Sequence, residues 1–218
     1  MKRLNILWIG LISILMTACY DDYEKDYDKS SVYFASQKPL RTLVADTDMS
    51  IKVGVAIGGK REVHTDDWAT FEIDPSLLDG TGLTLMPENY YQLANPNKMT
   101  ISNPNLAIAD VKVTFSDAFY NDNAALDKYY AIPFRLVDHN QDEISTDVNG
   151  NLKDYSIVVV KFVSQYHGTY FVKGKVTNLS TQQVTEYNNK DLSQNMTRDF
   201  VSLGRNKVRR PGFGQTLE

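Results

Sequence analysis

Several constellations in this chain carry residue types that could do chemistry, and each must be weighed against its plainer meaning. Residues 54–60, Gly54-Val-Ala-Ile-Gly-Gly59-Lys60, match the first seven positions of a phosphate-cradling loop. The eighth position is Arg61, where a Ser or Thr would hold magnesium, and the glycines fall inside an alternating apolar run, so a strand ending in a glycine turn is expected. Asp138, Asn140 and Asp142 put oxygen ligands at positions 1, 3 and 5 of a calcium-loop pattern. Glu143 then replaces the sixth-position Gly, and Asn149 replaces the twelfth-position Glu. Asp147, Asn149 and Asn151 offer a second partial set, with a hairpin turn at Asn149-Gly150 as the alternative. Asp66 and Asp67 are adjacent, so in a strand they face opposite ways, which is poor geometry for an acid–base pair. His64, His139 and His167 share no metal-ligand spacing, and there is no HExxH or GxSxG. No catalytic residue and no cofactor is expected; the metal candidates are Asp138, Asn140 and Asp142, for calcium.

Aromatic side chains are the remaining chemical signal. The chain has 13 Tyr, and Trp68 is the one Trp beyond the leader. Flat rings beside Asn and Asp can stack on the apolar faces of sugars. Trp68, Tyr90, Tyr91 and Tyr120 are the glycan-binding candidates on that ground, and Phe119, Tyr129 and Tyr130 have similar neighbours. The competing reading is that these rings fill a core.

The elements that must position these residues read almost entirely as strands. Ile51, Val53, Val55 and Ile57 alternate with Lys52, Gly54 and Ala56; Val111, Val113 and Phe115 alternate with Lys112 and Thr114; Ile132, Phe134 and Leu136 alternate with Pro133 and Arg135. A period of two gives one buried and one wet face, the pattern of antiparallel sheets. Residues 31–36, 69–73, 98–102 and 155–163 complete about seven strands, separated by Gly58-Gly59, Asp79-Gly80, Asn95-Pro96, Asn103-Pro104 and Asn149-Gly150 turns. Pro133 lacks a ladder donor and predicts an edge strand or a bulge. The expected fold class is all-β: an immunoglobulin-like antiparallel β-sandwich followed by a short, incomplete β segment.

Residues 1–18 have the layout of a secretory signal. Lys2 and Arg3 precede a 13-residue apolar stretch at 4–16, too short for the roughly 20 residues of a membrane-spanning helix. The chain's only cysteine, Cys19, follows Met16-Thr17-Ala18, which resembles the bacterial lipoprotein box whose Cys is lipidated and becomes the new N-terminus. A multiply acylated Cys19 would hold the protein stably on a membrane. Residues 19–30 then form an acidic flexible tether. Its Asp21, Asp22 and Glu24 resemble the surface-export signal of Bacteroidota lipoproteins, which implies the outer membrane, with the protein facing the cell exterior.

Charge divides the remainder. Residues 19–164 hold 13 Lys+Arg and 23 Asp+Glu, a net of −10; residues 165–218 hold 8 and 4, a net of +4. A domain of 31–164 followed by a partial second β domain of 165–218 is therefore expected, the latter either adding strands to the former or remaining a loosely ordered fragment. The acidic body argues against nucleic acid as a partner.

The order SVYF, IKVGVAIGG, DWATFEIDPSLL, LMPENYYQL, KMTIS, VKVTF and YYAIPFRLVD between Ser31 and Asp138 resembles the N-terminal Ig-like, adhesin-type domain of unknown function found in many Bacteroidota surface lipoproteins. YHGTYFVKGKVTN, EYNNKDLSQN and SLGRN, from Tyr166 on, resemble the opening of a second uncharacterised domain that often follows it. The resemblance implies a non-catalytic surface lipoprotein that binds glycan or serves a polysaccharide-uptake system, with polysaccharide or outer-membrane uptake proteins as partners. The alternative is a spacer domain of a surface glycoside hydrolase whose catalytic part lies outside these residues.

Overall fold

The computed structural model describes residues 28–47, 49–60, 64–103 and 105–210. Cys19, Asp21, Asp22 and Glu24 lie outside the described residues.

Eleven strands form one mostly antiparallel sheet. They are β1 (Ser31–Tyr33), β2 (Leu40–Val44), β3 (Ser50–Gly58), β4 (Trp68–Ile73), β5 (Thr84–Leu85), β6 (Tyr91–Leu93), β7 (Lys98–Ile101), β8 (Ile108–Phe115), β9 (Tyr130–His139), β10 (Glu143–Ile144) and β11 (Tyr155–Val163). The order along the sheet is β10-β1-β3-β8-β7-β4-β9-β11-β2, with β5 on β9 and β6 on β8. The sheet curls into a sandwich, and its two halves share one core. Val32, Val55 and Val111 from one half meet Phe71, Phe134 and Phe162 from the other. The alternation read in the sequence is what makes this possible: in β8 every second side chain, from Ala109 to Phe115, is buried.

The sheet is mixed, because β1 pairs in parallel with β10, β2 with β11, and β5 with β9. Residues 31–44 explain the second of these. This extended run pairs first with β3 and then with β11, so it crosses from one half of the sandwich to the other. Strand β11 is buried on both faces. Val158, Val160 and Phe162 enter the main core, while Ile157 and Val159 pack under Leu77, Leu78 and Leu83 on the outside.

Pro133 sits in β9, a central strand between β4 and β11, and not on an edge. Its carbonyl accepts from the Asp74 N–H just beyond the end of β4. A strand residue points its N and C=O to the same side, so the missing donor falls where β4 has already stopped. The sheet loses no bond there. Gly59 shows why the Gly58-Gly59 turn needs glycine: φ is +75°, and a Cβ would lie 2.1 Å from the Lys29 carbonyl oxygen.

A five-residue helix, α1 (Asp117–Asn121), and a following 3-10 turn over Asn123–Leu126 close one end of the sandwich. They drive Phe119, Tyr120 and Ala125 into the core.

Beyond Ser164 the strands pair only among themselves. β12 (Gly168–Phe171), β15 (Thr197–Gly204) and β16 (Lys207–Arg209) form a three-stranded sheet; β13 (Gly174–Thr177) and β14 (Val184–Tyr187) form a hairpin. The expectation that this segment adds strands to the sandwich is corrected. It docks through side chains instead. Arg205 pairs with Asp46 and Asp117 and lies over the Tyr120 ring at 5.7 Å, and Ser202 Oγ accepts from the Ser164 N–H at 2.8 Å. Between 165 and 210 only Gly204 is buried, and a Cβ there would meet Asn123 Oδ1 at 2.8 Å. This unit therefore has a joint to the sandwich but no core of its own.

Candidate functional site

The aromatic residues singled out in the sequence divide sharply. Tyr120 is fully buried, with its ring 5.2 Å from Phe119 and 5.3 Å from Phe162, so it presents no face to a ligand. Its place among the glycan candidates is corrected, as are those of Phe119 and Tyr130, which are also buried. Tyr90 packs against the core and donates its hydroxyl to Asp122 at 3.1 Å. Tyr130 donates to the same carboxylate oxygen at 2.8 Å. Burial, followed by the Asp122 hydrogen bond and charge, pushes the Tyr130 hydroxyl up to about 12. This is a structural network that ties α1's end to β9.

Tyr90, Trp68 and Tyr91 are half-buried, and Tyr129 is 57% exposed on the sandwich. Trp68, at the start of β4, is half-buried; Lys98 Nζ stands 4.9 Å above its ring, and its backbone N–H is fixed by Asn140 Oδ1 at 2.9 Å. Tyr91, in β6, borders a shallow groove of about 430 Å³ with Glu88, Gln92, Pro75 and Pro96. Burial and then the Glu88 charge raise its hydroxyl pKa.

The three calcium candidates point to separate tasks. Asp142 accepts from both the N–H and the hydroxyl of Ser30 at 2.7 Å, and those bonds hold its carboxyl below the usual range. Asn140 Oδ1 serves Trp68 and Gln141, and Asp138 accepts from the His139 N–H. Among the described residues no three His, Cys, Asp or Glu side chains converge on a metal position. At Asn149-Gly150 the structure has a turn: Gly150 takes φ +83°, and Asp147 Oδ1 accepts from the N–H groups of Asn149 and Asn151.

Residues 54–58 belong to strand β3, and Lys60 is engaged by Asp67 at 3.0 Å. Asp67 is nearly fully buried. Burial opposes its ionisation, but hydrogen bonds from Gln141, Lys60 and the His64 N–H outweigh it and hold the carboxyl below its ordinary value. This buried ion pair organises the loop end of the sandwich.

A further recess lies in the part of the chain where sequence reasoning nominated nothing. On the β12-β15-β16 sheet, Tyr166, Tyr170, Phe171 and Phe200 line an open groove of about 500 Å³. Tyr166, Tyr170 and Phe171 are 51, 44 and 51% exposed, whereas the large aromatics of the sandwich core are at or near zero. Tyr170 is held in place from both sides. Its ring stands edge-on to Phe200 at 5.2 Å, and its hydroxyl donates to the Tyr166 carbonyl at 3.1 Å. Lys173, Arg198 and Arg210 complete the lining. The signal for this groove was present in the sequence as the Thr-Tyr-Phe run just before Lys173, inside the C-terminal stretch with a net charge of +4.

Fold and groove together define an all-β sandwich protein carrying a small aromatic-walled β unit. Residues 27–143, more than half of the chain, match a family model described as "-like, N-terminal domain", and the chain belongs to that family. No curated protein matches the chain. Among solved structures it is similar to a Bacteroides ovatus protein of unknown function, with 22% identity and a TM-score of 0.66 over 83% of this chain and 67% of that one. It also matches Bacteroides thetaiotaomicron EndoBT-3987, solved with a Man5GlcNAc product, at 22% identity and TM-score 0.42 over 64% of this chain and 32% of that one. A third match is a putative carbohydrate binding protein from Bacteroides ovatus, at 16% identity and TM-score 0.39 over 68% and 43%. The first likeness is one of fold.

Proposed function

We propose that this protein is a non-catalytic, lipid-anchored protein of the outer membrane's exterior face that binds glycan, as an accessory to polysaccharide uptake. One observation carries the binding half of this reading: Tyr166, Tyr170 and Phe171 stand about half-exposed around one groove, with the Tyr170 ring pinned by Phe200 and by its own hydroxyl, while the rings of the adjoining sandwich core are buried. Exposed aromatic surface concentrated in one recess marks a recognition site, and rigid rings lose little entropy when they stack on a sugar. Anchoring through Cys19 and export through Asp21, Asp22 and Glu24 supply the location. A tethered protein there meets extracellular polysaccharide directly.

Affinity electrophoresis of the full chain in detergent, through gels containing a panel of soluble polysaccharides, tests the binding. At least one polysaccharide should retard the protein, and Tyr170→Ala should abolish the retardation. Unaltered migration in every gel would refute the reading.

A further inference from the structure

The sandwich sheet ends in two different edges. β10 is two residues long and carries the exposed Glu143, a short, charged edge of the kind that other chains do not extend. β2 is five residues long, and among the described residues no strand pairs with its outer side. We infer that this edge is an interaction surface for a second copy of the same chain, the two β2 strands pairing antiparallel about Thr42 and joining two sandwiches into one continuous sheet.

Backbone direction says which groups are on offer. The Val159 N–H donates to the Pro39 carbonyl and the Ala45 N–H to the Val163 carbonyl, both at 2.9 Å. Odd-numbered residues of this run therefore turn their N–H and C=O toward β11, and by alternation Leu40, Thr42 and Val44 turn theirs outward. The Val44 carbonyl accepts from the Thr47 N–H at 3.3 Å and keeps a second lone pair. The same three residues share a face. Leu43 is buried in the core, so Leu40, Thr42 and Val44 point to the outside of the sandwich, where Leu40 and Val44 are 52 and 40% exposed. Register sets Leu40 beside Val159 and Val44 beside Val163, so each ends an apolar row that stops at the open edge. Arg205 holds the C-terminal unit at Asp46, past the end of β2, and leaves both side chains uncovered.

The spacing is self-complementary, which selects a copy over an unrelated strand. An antiparallel pair centred on Thr42 sets this residue opposite the partner's Thr42, exchanging two backbone bonds, and sets Leu40 opposite the partner's Val44 on either side of the two-fold axis. The four exposed apolar side chains then cover one another. The outward positions carry no Lys and no Pro, the residues that keep edges apart, and Arg41 is turned to the other face. Lys161, beside Thr42 in register, stands one strand back on each copy, about 14 Å from its mate and beyond a screening length.

One strand a side is a small contact, so the dimer should form at about 0.1 mM rather than at nanomolar levels. Sedimentation velocity of the detergent-solubilised full chain, from about 10 to about 500 µM, should show a monomer–dimer equilibrium. Leu40→Lys combined with Val44→Lys should move it about tenfold or more to higher concentration, with an unchanged circular dichroism spectrum because both positions are exposed. Thr42→Cys should give disulfide-linked dimers on mild oxidation, above the parent's background, since paired Cα atoms about 5.5 Å apart fit a disulfide. Arg41→Cys, whose mate lies on a diagonal of about 7–8 Å, should not. A monomer across the whole range, with no dimer from Thr42→Cys, would overturn the proposal. So would a dimer that survives the double Lys variant, or Arg41→Cys linking as fast as Thr42→Cys, because either places the contact elsewhere.

Discussion

Tyr120→Ala separates a core residue from a ligand-binding one most sharply, because Tyr120 stands where three parts of the molecule meet. Its ring touches Phe119 of α1 and Phe162 of β11, and Arg205 of the C-terminal unit lies over it at 5.7 Å. Removing a fully buried aromatic ring costs about 3–5 kcal/mol, and the upper part of that range applies where the walls cannot collapse into the space. Here one wall is a central ladder strand, β11, held between β9 and β2, so collapse is restricted. For a protein of this size each kcal/mol lowers Tm by about 2–4 °C, which gives a drop of about 6–20 °C. Tyr120→Phe, which keeps the ring, should recover most of that drop. Thermal unfolding followed by circular dichroism reads both variants, with Trp68→Ala as the contrast: half-buried and on the outer side of β4, it should lower Tm by only a few degrees. A Tyr120→Ala protein melting within 2 °C of the parent would refute the assignment of Tyr120 to the core and, with it, the packing described for this end of the sandwich.

Further outcomes follow from particular contacts. Arg205→Ala removes both ion pairs at the joint, so limited proteolysis should cut between 165 and 210 several-fold faster while a fragment ending near Ser164 persists; an unchanged cleavage rate would show that the joint does not depend on Arg205. The Tyr130 hydroxyl is raised to about 12 from an unfolded value near 10, so its contribution to stability is fully present below pH 10 and is lost as pH rises toward 12. Tyr130→Phe should flatten that alkaline slope in urea titrations, and an identical slope would contradict the network around Asp122. Cys19→Ala should move the protein from the membrane to the soluble fraction after cell lysis, and replacing Asp21, Asp22 and Glu24 with Ala should leave it anchored but shielded from protease added to intact cells. Retention of the Cys19 variant on membranes after a salt wash would refute the lipid anchor.

The fold was legible where burial is one-sided. Strands β3 and β8 bury alternate residues, so their hydrophobic period reports both the element and the face. Strand β11 was legible for another reason: a nine-residue run rich in Val and Ile has to be covered on both sides. Short strands such as β5 and β6 left no pattern, since two or three residues cannot display a period, and their pairing is decided by the strands they lie on. In the C-terminal unit, the run 168–176 reads as one strand but splits into β12 and β13, with Gly174 at φ +148° starting the second. The site was the least legible part. Neighbouring Asn and Asp residues nominated Tyr120, which is buried, and passed over Tyr170, whose neighbours are Thr169 and Phe171. The direction each ring points is set by tertiary packing: α1 turns Tyr120 into the core, whereas Tyr170 stays 44% exposed on its sheet.

Hydroxyl-radical footprinting of the full chain, with and without a polysaccharide that retards it in affinity gels, tests the central claim most directly because it reports every exposed ring at once. Tyr166, Tyr170 and Phe171 should lose reactivity on binding, while Trp68 and Tyr91 keep theirs. Protection at Trp68 or Tyr91, with the three rings of the C-terminal groove unchanged, would contradict the account and return the binding site to the sandwich.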